Sequence, residues 1–326
     1  MSRKYKAALL GYYGFNNLGD ELLLTACLES LSRAGLEREK VIVLSNNPDE
    51  TRENFCVDSV NRWSLREVIC ALKSSENLIL GGGGLFQDVT SVKSCIYYWG
   101  VVRLASLLGV RVSALGQSIG SLNSRLAKLF TGNALRLCKK IHVRDDESFA
   151  LAESLGCKNI VLGSDIVMTL ARESDSLKRE SLSGENVLVN VLVNLRPCRE
   201  LERFVKILLP HINNNYIGAA LSSEDESALK LLPVKEIIRV KSFSQAQELW
   251  SRALCAVGMR LHFGVLSRIF GTPLALMPYD VKVSEFASQS GVPLIRDSWL
   301  APVKPRDVPE DSRVQLDNLT REIISL

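Results

Sequence analysis

A chain of 326 residues, 46% hydrophobic and 23% charged, suits a soluble globular protein with one large or two ordinary domains. Its net charge of +4 comes from basic residues spread along the sequence, not from a block. That pattern argues against nucleic acid as a partner and leaves a weak attraction for anionic lipid or phosphate.

Eight cysteines lie far apart with no CxxC pair, against a zinc cluster, redox dithiol or disulfide framework; they read as reduced core residues of a cytoplasmic protein. The apolar run Ala7–Leu10 is too short for a signal sequence. No segment approaches the roughly 18 apolar residues of a membrane-spanning helix.

In chain order, short apolar runs alternate with helical stretches: "KAALLGYYG", "DELLLTACLESLSRAG", "KVIVLSNN", "NLILGGGG", "CIYYWGVVRLASLLG", "VRVSALGQS", "KIHVRDDES" and "NIVLGSD". This alternation predicts a parallel sheet flanked by helices, six strands in one doubly wound unit over residues 1–171. The polar stretch "ARESDSLKRESLSGEN" has no apolar period and predicts a linker over 172–186. Strand-like "VLVNVLVNLRP", "NYIGAAL", "VKEIIRV", "ALCAVGM" and "PLALMPYD", with helical "SFSQAQELWSRA" among them, predict a second unit over 187–326. The expected fold is α/β and GT-B-like, with two doubly wound Rossmann-like domains facing across a cleft and ligands off the carboxyl ends of the strands.

Five stretches carry chemistry. "GYYGFNNLGDE" follows the first strand and enters a helix; it is either a turn capped by Asp20 or a sugar-hydroxyl site made by Asn16, Asn17 and Asp20. It lacks GxGxxG and GxxxxGK[ST], and its acidic end would repel a phosphate. "GGGGLFQD" holds four consecutive glycines, which implies close backbone approach to a ligand, through Gly83 and Gly84 beside Asp88, or to another loop. The aromatics Tyr97, Tyr98 and Trp99 downstream read as core or as a sugar platform.

"HVRDDES" sets Arg144 at the end of a strand, where it serves an anionic ligand or pairs with the adjacent aspartates. "GMRLHF" sets Arg260 and His262 at a comparable strand end. A lone histidine among apolar residues is more often core, but an arginine two positions earlier is costly to bury without a carboxylate. "PYDVKVSEF" adds Tyr279, Asp280 and Lys282 past the last strong strand. Two arginines, a lysine and a histidine on one rim suit a small multiply charged anion, with His262 as a proton donor. His142 and His211 have no comparable setting.

Together "GYYGFNNLGDE", "GGGGLFQD", "GQSIG", "VRDDES", "GMRLHF" and "PYDVKVSEF" resemble, in order, the motifs of polysaccharide pyruvyl transferases, nearest the cell-surface-anchoring CsaB type. The resemblance spans Gly11 to Phe286. It implies phosphoenolpyruvate as co-substrate, contacted by Arg144, Arg260, Leu261, His262 and Lys282, and no other cofactor. It also implies a lipid-linked acceptor containing N-acetylmannosamine, a precursor of the secondary cell-wall polymer used in S-layer anchoring. The departures are Ser118 within "GQSIG", no proline after Gly120, Cys198 after "RP", and Phe263 after the histidine. They spare the charged donor groups and bear on the acceptor.

The expected reaction is ketal transfer with His262 as general acid and Asp20 or Asp88, ahead of Asp165, as base. No residues show metal-ligand spacing, so no metal is expected. Cytoplasmic location with loose contact at the inner face of the membrane is expected. A GT-B glycosyltransferase using a nucleotide-sugar is the alternative enzyme, and a non-catalytic module for anionic glycans the alternative outside catalysis.

Overall fold

The computed structural model describes residues 3–89, 91–171, 190–212 and 216–325. The linker expected over 172–186 lies outside the described residues. Contacts gather the chain into two compact units: Met1–Phe15, Leu23–Thr169 and Glu310–Leu326 form the first, Asn16–Leu22 and Leu170–Pro309 the second. This differs from a contiguous division, because one short early segment groups with the second unit and the last segment with the first.

Along the first part of the chain run β1 (Tyr5–Leu10), α1 (Leu18–Arg33), β2 (Val41–Ser45), α2 (Pro48–Phe55), β3 (Asp58–Asn61), α3 (Leu65–Lys73), β4 (Ser75–Leu80), α4 (Lys93–Leu107), β5 (Arg111–Gln117), α5 (Arg125–Leu135), β6 (Cys138–Val143), α6 (Asp146–Ser154) and β7 (Ile160–Leu162). The strands form one parallel sheet ordered β3-β2-β1-β4-β5-β6-β7. Their centre is almost continuously apolar, since helices cover both faces of such a sheet; β2 is buried throughout and β1 everywhere but Lys6. The sheet has seven strands where six apolar runs were legible. The extra one, β3, is the four-residue edge strand "DSVN", whose sequence carries no apolar run.

Local sequence sets the helix starts. Asn47, Ser64, Ser124 and Asp145 each accept a hydrogen bond from the N–H three residues on, satisfying a first-turn donor that the helix leaves open.

The second unit contains β8 (Asn190–Asn194), α7 (Leu201–Leu208), β9 (Tyr216–Ala220), α8 (Ser223–Leu229), β10 (Glu236–Arg239), α9 (Phe243–Ser251), β11 (Ala253–Gly258), α10 (Leu261–Ile269), β12 (Leu274–Leu276) and α11 (Val281–Ser290). Its parallel sheet is ordered β10-β9-β8-β11-β12, matching the five apolar runs of the sequence. Trp250 and Phe263 anchor the packing of α9 on α10; both are fully buried, and the indole N–H donates to Ser267 Oγ at 2.9 Å. The last helix, α12 (Glu310–Ser325), docks on the first unit through Arg33–Asp317 (3.2 Å) and Lys140–Glu322 (2.7 Å).

Each strand order reverses once, between β1 and β4 in the first sheet and between β8 and β11 in the second. In open parallel sheets the loops at such a reversal diverge and leave a crevice at the carboxyl ends, where ligands bind.

All eight cysteines are free. Cys27, Cys95, Cys138 and Cys157 are buried as expected, but Cys56 and Cys70 are exposed, a correction to the core reading. Cys56 ends α2 in a left-handed turn (φ 52°). No helix of the described residues is long and apolar enough to cross a membrane.

Candidate functional site

In the second unit the reversal lies between Asn194 and Gly258, and the charged residues follow directly. Arg196 comes two residues after β8, Arg260 two residues after β11, and Tyr279, Asp280 and Lys282 after β12. Since β8, β11 and β12 are neighbours, topology gathers these groups on one rim.

Arg260 is held from three sides. Its backbone N–H donates to Asn194 Oδ1 (3.2 Å), its Nε to Asp225 Oδ1 (2.6 Å), and an Nη to Ser222 Oγ (2.6 Å) and Glu224 (3.3 Å). Asp225 is fully buried, and its other oxygen accepts from Leu221 and Ser222 backbone N–H groups and from Asn194 Nδ2. A buried carboxylate with this many donors is satisfied, and it fixes the guanidinium in one orientation.

Arg196 donates to the Tyr279 hydroxyl at 2.6 Å and stacks 4.6 Å over its ring. Burial pushes the Tyr279 hydroxyl up, while Arg196 and then Arg260 oppose it, so both cations bear on one phenol. Lys282 sits in the first turn of α11, behind Asp280, whose carboxylate accepts the Lys282 N–H at 3.0 Å.

His262 occupies the first turn of α10, and Leu261 opens that helix. Against His262 lies Gly19 of α1: a Cβ there would fall 2.4 Å from Nδ1. The segment Asn16–Leu22 is tied to the second unit by Leu18 N–H to Leu221 O (2.9 Å) and by Arg239, which donates to Asn16 O. The cap of α1 is Asn17, not Asp20: the helix begins at Leu18, and Asp20 in its first turn accepts from Asn17 Nδ2 at 2.5 Å. Asn16 stands exposed in the left-handed region (φ 57°). Asn17, Gly19, Asp20, Arg260 and His262 therefore belong to one unit.

The other sequence candidates lie in the first unit. Arg144 pairs with Asp165, both side chains nearly buried, not with the adjacent Asp145 or Asp146; Asp145 caps α6 instead. Asp165 Oδ1 also accepts from Val167 N–H at 3.0 Å. Asp88 is committed to its own neighbourhood: its oxygens accept from Asn123 and Ser124 N–H at 2.7 Å each. Burial opposes ionisation there, but those hydrogen bonds outweigh it and hold the carboxyl below its ordinary value. A carboxylate so stabilised is a weak base.

The glycine run packs closely on its own unit. A Cβ on Gly81 would fall 1.8 Å from the buried Tyr13 hydroxyl, and one on Gly82 would meet Leu23 at 2.5 Å. Gly83, at φ 102°, spends its N–H on Gly116 O and accepts from Ser118 N–H. Gly84 is exposed.

Sequence reasoning missed Arg62. It follows β3 and is 3% exposed, and no carboxylate pairs with it among the described residues. It donates to Gly11 O (2.6 Å) and Tyr98 Oη (3.2 Å), and the rings of Phe15, Trp63, Tyr97 and Tyr98 lie within 5.5 Å of its guanidinium carbon. Aromatic faces take the place of a counter-ion. Tyr97 and Tyr98 thus serve this cage, whereas Trp99 packs on Phe130. Gly19, Asp225 and Arg196 were missed as well; only "NLGDE" and "NLRP" hinted at two of them, through their places at strand exits.

The family model for polysaccharide pyruvyl transferase matches residues 17–281, most of the chain and every group of this rim but Lys282. The chain belongs to the polysaccharide pyruvyl transferase family. A search of curated proteins found no match. Among solved structures, this pyruvyl transferase family member is similar to UDP-GlcNAc 2-epimerase from Methanocaldococcus jannaschii (TM-score 0.60, 11% identity, 97% of this chain and 92% of that one). It is similar also to UDP-GlcNAc 2-epimerase from Neisseria meningitidis (TM-score 0.55, 11% identity, 98% and 94%). A third is the wall teichoic acid polymerase TagF (TM-score 0.52, 11% identity, 98% and 82%). At such identities the likeness is one of fold, and the fold is the expected GT-B-like pair of Rossmann-like units.

Proposed function

We propose that this chain transfers the pyruvyl group of phosphoenolpyruvate, as a cyclic ketal, onto N-acetylmannosamine of a lipid-linked cell-wall polymer precursor. The observation that carries the reading is Arg260, clamped by Asp225 and Ser222 at the sheet reversal with His262 in the next helical turn. Family membership supplies the reaction class.

In this reading Arg260 and Lys282 bind the phosphate and carboxylate of the donor through charge-assisted hydrogen bonds. Protonated His262 delivers its proton to the methylene carbon. A sugar hydroxyl bonds to the adjacent carbon and gives up its own proton, forming a tetrahedral phospho-ketal. The C–O bond to phosphate then breaks, and a second hydroxyl bonds to the same carbon and closes the ring, its proton leaving with the phosphate. Asp20, in the same unit as His262, is the base we assign; Asp88 is set aside because its loop already holds it ionised. Arg144 enters through the family motif, its guanidinium being held by Asp165. The reaction needs no metal and takes place at the cytoplasmic face of the membrane, and the polymer made from its product serves S-layer anchoring.

The test is incubation with phosphoenolpyruvate and an aryl-linked N-acetylmannosaminyl disaccharide, following phosphate release and product mass. Phosphate release with a gained pyruvyl group is the expected result. No release, together with protection against unfolding by a nucleotide, would replace the reading with a nucleotide-sugar glycosyltransferase.

A further inference from the structure

The basic residues are spread along the sequence, but the acidic ones are not. Between Asp88 and Asp145 the chain has no acidic residue, while the same stretch holds nine lysines and arginines. Two of its helices, α4 and α5, contain no Asp or Glu. They pack side by side in the first unit, with Trp99 of one against Phe130 of the other (ring centroids 4.8 Å apart). Their inner faces, including Cys95, Tyr98, Val102, Ala127 and Leu135, are buried in the core.

The outer faces combine two chemistries. Lys93 and Arg103 on α4, and Arg125 and Lys128 on α5, are exposed, and among the described residues no carboxylate pairs with any of them. Between these cations stand apolar side chains that the fold leaves in water: Leu126 is 54% exposed, Leu129 53%, Ile96 39%. Leucines one turn apart, flanked by cations on helices without acidic residues, match the boundary of an anionic bilayer, where apolar groups enter the acyl region and cations meet the headgroups. The nearby Asp88 carboxylate is taken up by the Asn123 and Ser124 N–H groups at the start of α5. A nucleic acid would use the cations and leave the leucines in water.

We propose that the α4–α5 face docks this protein on a bilayer surface rich in anionic lipid. The proposal deepens the reading of a lipid-linked acceptor by naming the surface that brings the enzyme to it, but it stands on surface chemistry, not on pyruvyl transfer.

The experiment is sedimentation of the full chain with vesicles of phosphatidylcholine alone or mixed with phosphatidylglycerol. Binding to the mixed vesicles only, weakened by salt, is expected. Arg125→Glu/Lys128→Glu removes two cations worth about 1 kcal/mol each, so affinity falls by about thirtyfold or more. Leu126→Ser/Leu129→Ser weakens binding at low and at high salt alike. Both variants change only exposed side chains, and both keep the melting temperature and phosphate release with the water-soluble acceptor. Equal vesicle binding by the charge-reversed protein overturns the proposal, as does retention on duplex nucleic acid with none on vesicles. Vesicle binding without pyruvyl transfer would leave this surface standing and remove the enzymatic reading instead.

Discussion

The Cα of Gly19 and the imidazole of His262, 243 positions apart in the chain, sit so close that one added methyl group would fall 2.4 Å from Nδ1. The only side chain that leaves this ring in place is a hydrogen atom. Gly19→Ala must therefore displace the imidazole or the start of α1. Overpacking of this kind costs about 1–3 kcal/mol. The expected outcome is a lower melting temperature, and a turnover loss that grows if His262 handles the proton. A variant with full activity and unchanged melting would show that the contact is slack.

His262→Ala tests the proton donor itself. Loss of a general acid lowers turnover by about two to four orders of magnitude. The Michaelis constant for phosphoenolpyruvate should change far less, since Arg260 keeps its clamp. Near wild-type turnover would return His262 to a packing role.

Asp225→Asn keeps the shape of the clamp and removes its charge. Breaking a buried ion pair from one side costs about 3–5 kcal/mol. In kinetics the change should appear as a raised Michaelis constant for phosphoenolpyruvate, because Arg260 loses its orientation. Arg260→Lys should fail to compensate, a lysine having no planar fork to share among Asp225, Ser222 and Glu224. An unaltered constant in Asp225→Asn would separate Arg260 from the donor.

Arg144→Ala discriminates between two roles for one residue. A donor contact predicts a Michaelis constant raised about ten- to hundredfold, as for one charge-assisted hydrogen bond. A purely structural pair predicts lost stability, since Asp165 is left nearly buried and uncompensated, with kinetics intact. Measuring both on the same variant decides the matter.

His142 makes a prediction about pH. Gly116 N–H donates to its Nδ1 at 3.0 Å, and burial pulls its pKa from 6.5 down to about 4, opposed by the nearby charge of Asp165. The folded protein holds the ring neutral while the unfolded chain protonates it. Stability is thus full above pH 6.5 and is lost as pH falls towards 4, by about 3 kcal/mol in all. His142→Asn keeps an acceptor for Gly116 and removes the titration. Its melting temperature should fall less steeply between pH 7 and 4.5 than that of the wild type, and parallel curves would contradict the assignment.

Elements with strong local periodicity were legible before any coordinates. Runs such as "KAALL", "NLIL" and "ALCAVG" read as parallel strands because both faces of the sheet are covered along the middle of the strands, so most positions there are selected for apolarity. The strand exits followed, and with them Arg144 in the first sheet and Arg260, His262 and Lys282 in the second, because the carboxyl ends of each parallel sheet share one edge. The edge strand β3 escaped notice since edge pairing asks little of side chains.

The sequence by itself determined the alternation, the helix caps and the placing of charged residues after strands, all set by propensities and burial over a few neighbouring residues. Tertiary structure alone decided the partners: Asp165 for Arg144, Asp225 for Arg260, Gly19 for His262, aromatic rings for Arg62, and the first unit for α12. Apart from Trp63 beside Arg62, these partners lie 21 to 284 positions apart. Periodicity says which face of an element is buried, but which other element buries it depends on how the crossovers close and how the core packs.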